Sequence, residues 1–233
     1  MSSNINTIAF ADLLYLIIPT IVVIIIYIKW SLNYKNLIYA LLRMFIQLIG
    51  IGYLLTYIFN VDVVWYVLVI LFLMLIVASW IALRTIESKK EIYLKVFVSI
   101  FISGIFILFI DSVLVLKVSP WYAPRFIIPL AGMVFANAMN SVSLAVDRFY
   151  SELKNKHEYK QARAIALNTS LIPITNSLFA VGLVSLPGMM TGQILSGVSP
   201  LIAVRYQIMI MASILCSCGI SSAIVLVLLK PKD

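Results

Sequence analysis

Polar side chains are scarce in this chain, and where they stand inside apolar runs their spacing carries the available chemistry. Arg43 and Gln47 are four residues apart in one run, which puts them on one face of a helix. Asn137, Asn140 and Ser141 share a face by their three-to-four spacing in a later run. Asn168, Thr169, Asn176 and Ser177 follow in the next, with Thr169 and Asn176 seven apart, and Arg205 and Gln207 open the last. Amides and hydroxyls inside hydrocarbon either bond helices to one another or line a hydrated path. Spacing alone leaves both roles open for Gln47, Asn137, Asn140, Ser141, Thr169, Asn176 and Gln207. Asp111 reads as a buried proton or cation ligand, or as a residue near a membrane surface. The Lys117 and Pro120 that follow it favour the second.

Hydrolytic and metal chemistry is poorly provided for. His157 is the only histidine and stands among Lys154, Lys156 and Glu158, which reads as a solvated loop position. A helical metalloprotease pair needs two histidines. The sequence contains neither a G-x-x-x-x-G-K-[ST] phosphate loop nor a G-x-S-x-G elbow, so the chain is expected not to be an enzyme and to bind no cofactor or metal of its own. Met189, Met190, Met209 and Met211 suit flexible packing better than a soft metal. Cys216 and Cys218, two apart on a helix, point to nearly opposite sides.

The elements that must position these residues are membrane spans. Of the 233 residues, 63% are hydrophobic and 11% charged, with mean hydropathy +1.10. Soluble domains are about half apolar and about a quarter charged, so lipid is the solvent for most of this surface. Runs of about 20 apolar residues give seven crossings (six if the sixth is a re-entrant hairpin): 8–28, 37–59, 63–83, 93–116, 125–146, 164–186 and 203–229. The expectation is an all-α, polytopic protein forming one transmembrane permease domain over 1–233, with Asn60-Val61-Asp62 as the turn between the second and third spans. Asp12 before the first run, with no basic region ahead of it, argues for a retained first helix.

Orientation follows from the basic residues. With the N-terminus outside, the inner segments hold Lys29, Lys35, Arg84, Lys89, Lys90, Lys95, Arg148, Lys154, Lys156, Lys160, Arg163, Lys230 and Lys232, and the outer ones only Lys117 and Arg125. The positive-inside rule places the C-terminus in the cytoplasm. The same rule accounts for the net charge of +8 without nucleic acid as a partner. The one sizeable charged segment, 147–163, carries five basic and three acidic residues, and is either a solvated helical face or a docking surface for a cytoplasmic partner. Pro187-Gly188, between two apolar segments, is a helix break.

From Ile128 onward the chain resembles the FetB-type (YbbM-type) family of ABC transporter permeases, implicated in bacterial iron export. The likeness is carried by Ile128-Pro129-Leu130-Ala131-Gly132-Met133, Asn137-Ala138-Met139, Asp147-Arg148, Leu171-Ile172-Pro173, the long string Val181 to Gly192, Gln193-Ile194-Leu195, Ser199-Pro200 and Tyr206-Gln207. It extends more loosely to Arg43, Gln47-Leu48 and Gly52-Tyr53. The resemblance implies a multi-pass subunit of a bacterial inner membrane, a separate cytoplasmic ATP-binding subunit carrying ATP and Mg, and a second copy of the chain. It also implies export by alternating access, with Asp147, Arg148, Glu158, Lys160 and Arg163 in the ATPase-coupling loop. In the family this loop is longer and holds a Leu-Gly-Ala-Thr stretch. Here that stretch is missing, so either the coupling helix is shortened to Glu158–Arg163 or coupling is altered. An ATP-independent secondary transporter and a membrane scaffold are the alternatives, the former short of carboxylates at mid-membrane.

Overall fold

The computed structural model describes residues 9, 11–58, 63–84, 86 and 89–230. The expected turn at Asn60-Val61-Asp62 lies outside them, as does Lys232. The chain divides into two compact units, Met1–Val61 and Asp62–Asp233.

In the first unit a 3₁₀ turn, Asp12–Leu16, leads into α1 (Ile17–Lys29), and α2 (Tyr34–Ile58) follows. Isoleucine and valine at this density favour strands in water. In hydrocarbon every backbone group must be satisfied within the segment, and the helix wins. The helix α1 buries none of its residues, which suits a helix solvated by lipid. It closes with Ser31 in the left-handed region, Ser31 N–H donating to Ile28 and Leu32 N–H to Tyr27. Two otherwise free carbonyls are thereby satisfied.

The second unit contains α3 (Val64–Ala82), α4 (Lys89–Phe109) continuing into a π-helical turn (Ile110–Val115), α5 (Pro124–Lys154), α6 (Tyr159–Ala180), a short α7 (Gly188–Leu195) and α8 (Pro200–Leu228). At its centre α5 packs against α3, α4, α6 and α8. Hydrophobic burial gives little reason for helices to associate in lipid, so small residues that let backbones approach do the work. On α6 these are Ala162, Ala166 and Ser170, four apart; on α8 they are Ala203, Ser213, Ser217, Ser221 and Ser222. Gly104 of α4 sits directly beneath the buried Phe135 ring of α5.

One end of this unit gathers the positive charge. The Tyr159 hydroxyl donates to the Leu226 carbonyl at 3.1 Å, Phe149 meets Tyr159 edge to face, and Glu91 lies within electrostatic reach of Tyr150. The start of α4, the α5–α6 corner and the end of α8 therefore share a level, and with them Arg84, Lys90, Lys95, Arg148, Lys154, Lys156, Lys160, Arg163 and Lys230. Lys117, Arg125 and Arg205 stand at the far ends of their helices.

Among the described residues six helices are long and apolar enough to cross a membrane: Asp12–Lys29, Tyr34–Ile58, Val64–Ala82, Lys90–Val115, Pro124–Lys154 and Pro200–Leu228. The 22-residue α6 is not among them. It nevertheless runs beside α8 from Leu226, where Tyr159 bonds, to Val204, where Leu178 shares a cavity wall. The fold is a polytopic all-α membrane bundle, as the sequence implied. Two limits differ most from expectation. The charged residues 147–154 continue α5, because charge ends a hydropathic run without ending a helix. At its far end α6 stops at Ala180, six residues before the expected limit, where the Ala180 carbonyl accepts from Leu183, Val184 and Ser185 and Gly182 turns to φ +83°.

Candidate functional site

Residues 147–163 form a rigid corner. Helix α5 runs to Lys154, α6 starts at Tyr159, and only Asn155–Glu158 turns between them. Lys156 adopts φ +63°, with its N–H donating to Leu153 and that of His157 to Glu152, the two-bond helix ending usually built on glycine. Glu152, 2% exposed, anchors the turn. It accepts from Arg148 at 2.6 Å and pairs with His157 Nδ1. His157 is a partly exposed loop residue, as the sequence implied, and is held by a carboxylate. Asp147, Glu158, Lys160 and Arg163 are exposed on the corner's outside. The Arg163 guanidinium lies 5.4 Å from the centre of the Tyr159 ring.

The intramembrane polar residues fall into three groups. Ser141 is buried where α5, α6 and α8 meet: its Oγ is 2.8 Å from Ser222 Oγ and donates toward the Ser170 carbonyl at 3.2 Å. Asn137 donates to its own helix, to the Met133 carbonyl at 2.8 Å, and Asn140 is exposed. On α6, Thr169 is half-buried while Asn168, Thr175 and Asn176 are exposed, opposite the buried Ala162, Ala166, Ser170 and Ile174. Pro173 adds to this polar face, since it has no N–H for the Thr169 carbonyl. Gln47 is exposed on α2, in the first unit.

Gln207 is 6% exposed and faces an apolar cavity of about 450 Å³ between α6, α7 and α8, whose walls include Met190, Met211, Val181 and Gly182. A second cavity, of about 330 Å³, lies among Arg125, Met133, Met189, Gln193 and Tyr206. Pro187 immediately precedes α7 and Gly188 is its first residue, so the pair starts the short helix between the two cavities. Among the described residues, buried side-chain oxygens without a hydrogen-bond partner occur at Asp111 Oδ2, Gln193 Oε1 and Gln207 Oε1.

Sequence reasoning missed Glu152, and for Asp111 it named burial as one of two readings and favoured the other. Asp111 is 2% exposed, with its Oδ1 2.7 Å from Ser213 Oγ of α8, so its side chain lies inside the protein. The four-residue step from Arg148 to Glu152 was a legible signal for the corner. Nothing in the sequence announced the π-helical turn that presents Asp111. Among the described residues no three His, Cys, Asp or Glu side chains cluster as a metal site.

The family model described as Uncharacterised protein family UPF0014 matches residues 10–232. The chain belongs to the UPF0014 family. It is 39% identical to the UPF0014 membrane protein slr1647 of Synechocystis over 77% of this chain and 76% of that one. Identity to the probable iron export permease protein FetB of Escherichia coli is 35%, over 82% and 78%. The Arabidopsis thaliana protein ALUMINUM SENSITIVE 3 is 30% identical over 87% and 80%. No solved structure matches the chain. The kinship read from the Val181–Gly192 string is borne out, and this UPF0014 chain is a multi-pass inner-membrane protein.

Proposed function

We propose that this UPF0014 protein is the membrane permease subunit of an ATP-binding-cassette exporter, powered by a separate cytoplasmic ATPase that docks on the α5–α6 corner. The observation that carries the reading is α6 itself. It runs the height of the bundle, packs through small residues, and turns Asn168, Thr175 and Asn176 outward. Amides facing hydrocarbon are costly, so this face meets water or another protein surface, and we take it to line a hydrated path. The same helix begins at the charged corner, so a push there moves the path-lining face directly. By the positive-inside rule the corner is cytoplasmic. Iron as cargo follows the name of the Escherichia coli relative; the outward face offers it amides and hydroxyls. Alternating access would arise because ATP binding to the partner favours one arrangement of the helices over another.

The test is charge reversal on the corner. In vesicles holding both subunits, the double variant Glu158→Lys/Arg163→Glu is expected to reduce ATP-driven transport to the level seen without ATP. Both side chains are exposed, so membrane insertion and yield stay unchanged. Full transport by the double variant would remove the corner from the mechanism.

A second reading, an ATP-independent secondary transporter, is favoured by one observation: Asp111 is a buried carboxylate with an unpartnered oxygen, the kind of group that ion coupling requires. Solute uptake driven by a pH gradient in vesicles lacking the ATPase would support it.

A further inference from the structure

The helices α4 and α8 pack together, and each buries small polar residues. Ser99, Ser103 and Asp111 recur on one face of α4, at multiples of four, and Ser213, Ser217 and Ser221 do the same on α8. Serines at such contacts are ordinary packing. Asp111 is not, because a carboxylate inside a bundle needs compensation for every lone pair it brings. Ser213, its partner, is 13 residues into the 29-residue α8, about 20 Å from that helix's start. The pair is therefore buried about midway along α8, while on its own helix Asp111 lies four residues before the end of the π-helical turn.

The unpartnered Oδ2 bears on the state of the group. Ser213 Oγ is 2.7 Å from Asp111 Oδ1 and 2.9 Å from the Met209 carbonyl. A serine hydroxyl has one proton and two lone pairs, so it cannot fully satisfy both acceptors. If Asp111 were ionised, the Ser213 O–H would serve Oδ1 while the Met209 carbonyl keeps its helical bond from the Ser213 N–H, but Oδ2, which has no partner, would be a bare buried anionic oxygen. If Asp111 carries a proton on Oδ1, every contact balances. The carboxyl O–H donates to Ser213 Oγ, the Ser213 O–H donates to the Met209 carbonyl, and Oδ2 becomes a neutral carbonyl oxygen, which is far cheaper to bury.

No neighbouring charge offers another solution. On α8 the titratable groups are Arg205 and Tyr206, about two turns before Ser213, and Cys216 and Cys218 just after it. On α5 they stand at the ends, Arg125 at one and Asp147, Arg148, Tyr150, Glu152 and Lys154 at the other. On α3 the group is Tyr66, and beyond the π-helical turn it is Lys117. None of them bonds to Asp111 Oδ2. The turn is itself informative. A π-helical segment is rare and is found mostly at functional positions, and here the Leu116 N–H reaches back five residues to the Asp111 carbonyl at 2.9 Å.

We propose that Asp111 is a proton-binding site inside the membrane, filled in the arrangement described here and exposed to exchange only when α4 and α8 part. The site stands whether or not ATP drives the transporter, so its test needs only this chain.

The test is infrared spectroscopy of the purified full-length protein in lipid at pH 7. The wild type is expected to show the carbonyl stretch of a protonated carboxyl group, and Asp111→Asn, which keeps the shape and a donor, is expected to remove it. Ser213→Ala should leave the band and shift it toward the position of a carboxyl free of hydrogen bonds. If Asp111→Asn does not fold, the Ser213→Ala shift and the downward shift of the wild-type band in heavy water decide the matter by themselves. Absence of any such band in the wild type, or a band that ignores these substitutions, would overturn the proposal, and an ionised Asp111 neutralised by a bound cation would give that result.

Discussion

At the residue scale the corner depends on Glu152 more than on the exposed charges around it. It is 2% exposed and pairs with both Arg148 and His157. Glu152→Gln keeps the shape and loses the charge on which both contacts depend. Hydrogen bonds to charged groups contribute about 1.5–3 kcal/mol, so the variant is expected to lose about 1–3 kcal/mol in reversible denaturation from lipid-like micelles. An unchanged midpoint would show that the Phe149–Tyr159–Leu226 packing holds the corner alone. The two residues that matter most for the account, Glu152 and Asp111, were hard to read from sequence for opposite reasons. Glu152 sat in a mixed-charge segment that looked solvated, and its burial comes from α5 continuing through that segment. Asp111 sat near a proline and a lysine that looked like a membrane boundary, and its burial comes from packing on α8.

At the element scale, hydropathy located the helices well and their ends poorly. The third span was read as 63–83 and is Val64–Ala82; the fifth was read as 125–146 and runs Pro124–Lys154. A long apolar run fixes a helix because lipid permits no other local answer. Where charge begins, the helix is free to go on, and it stops where a residue accepts the left-handed conformation, as at Lys156 and Gly197. The polar stripe of α6 was visible as spacing, but which side it faced was not, because alanine and serine on the other side carry no strong signal. Close helix contact makes its own prediction at Gly104. A side chain there would drive into the buried Phe135 ring, and overpacking of a filled core costs about 1–3 kcal/mol. Gly104→Val should lower the thermal midpoint, and Phe135→Leu in the same chain should restore part of it. A Gly104→Val protein as stable as the wild type would mean that α4 and α5 are free to move apart.

At the scale of the whole molecule, the distribution of charge and the distribution of polar surface point the same way. Basic residues collect at one end of the second unit, at the level of the corner, and the outward polar face of α6 rises from that end. On the proposed reading the chain draws its energy from a partner, and the α5–α6 corner is a charged, exposed handle for it. The claim on which this rests is division of labour between two kinds of subunit. Its most direct measurement is vectorial solute movement in sealed vesicles containing this protein with and without the cytoplasmic ATPase, at equal pH on both sides. Transport that requires both the partner and hydrolysable ATP is the expected result. Net transport against a gradient by the permease chain alone, indifferent to nucleotide, would contradict the account.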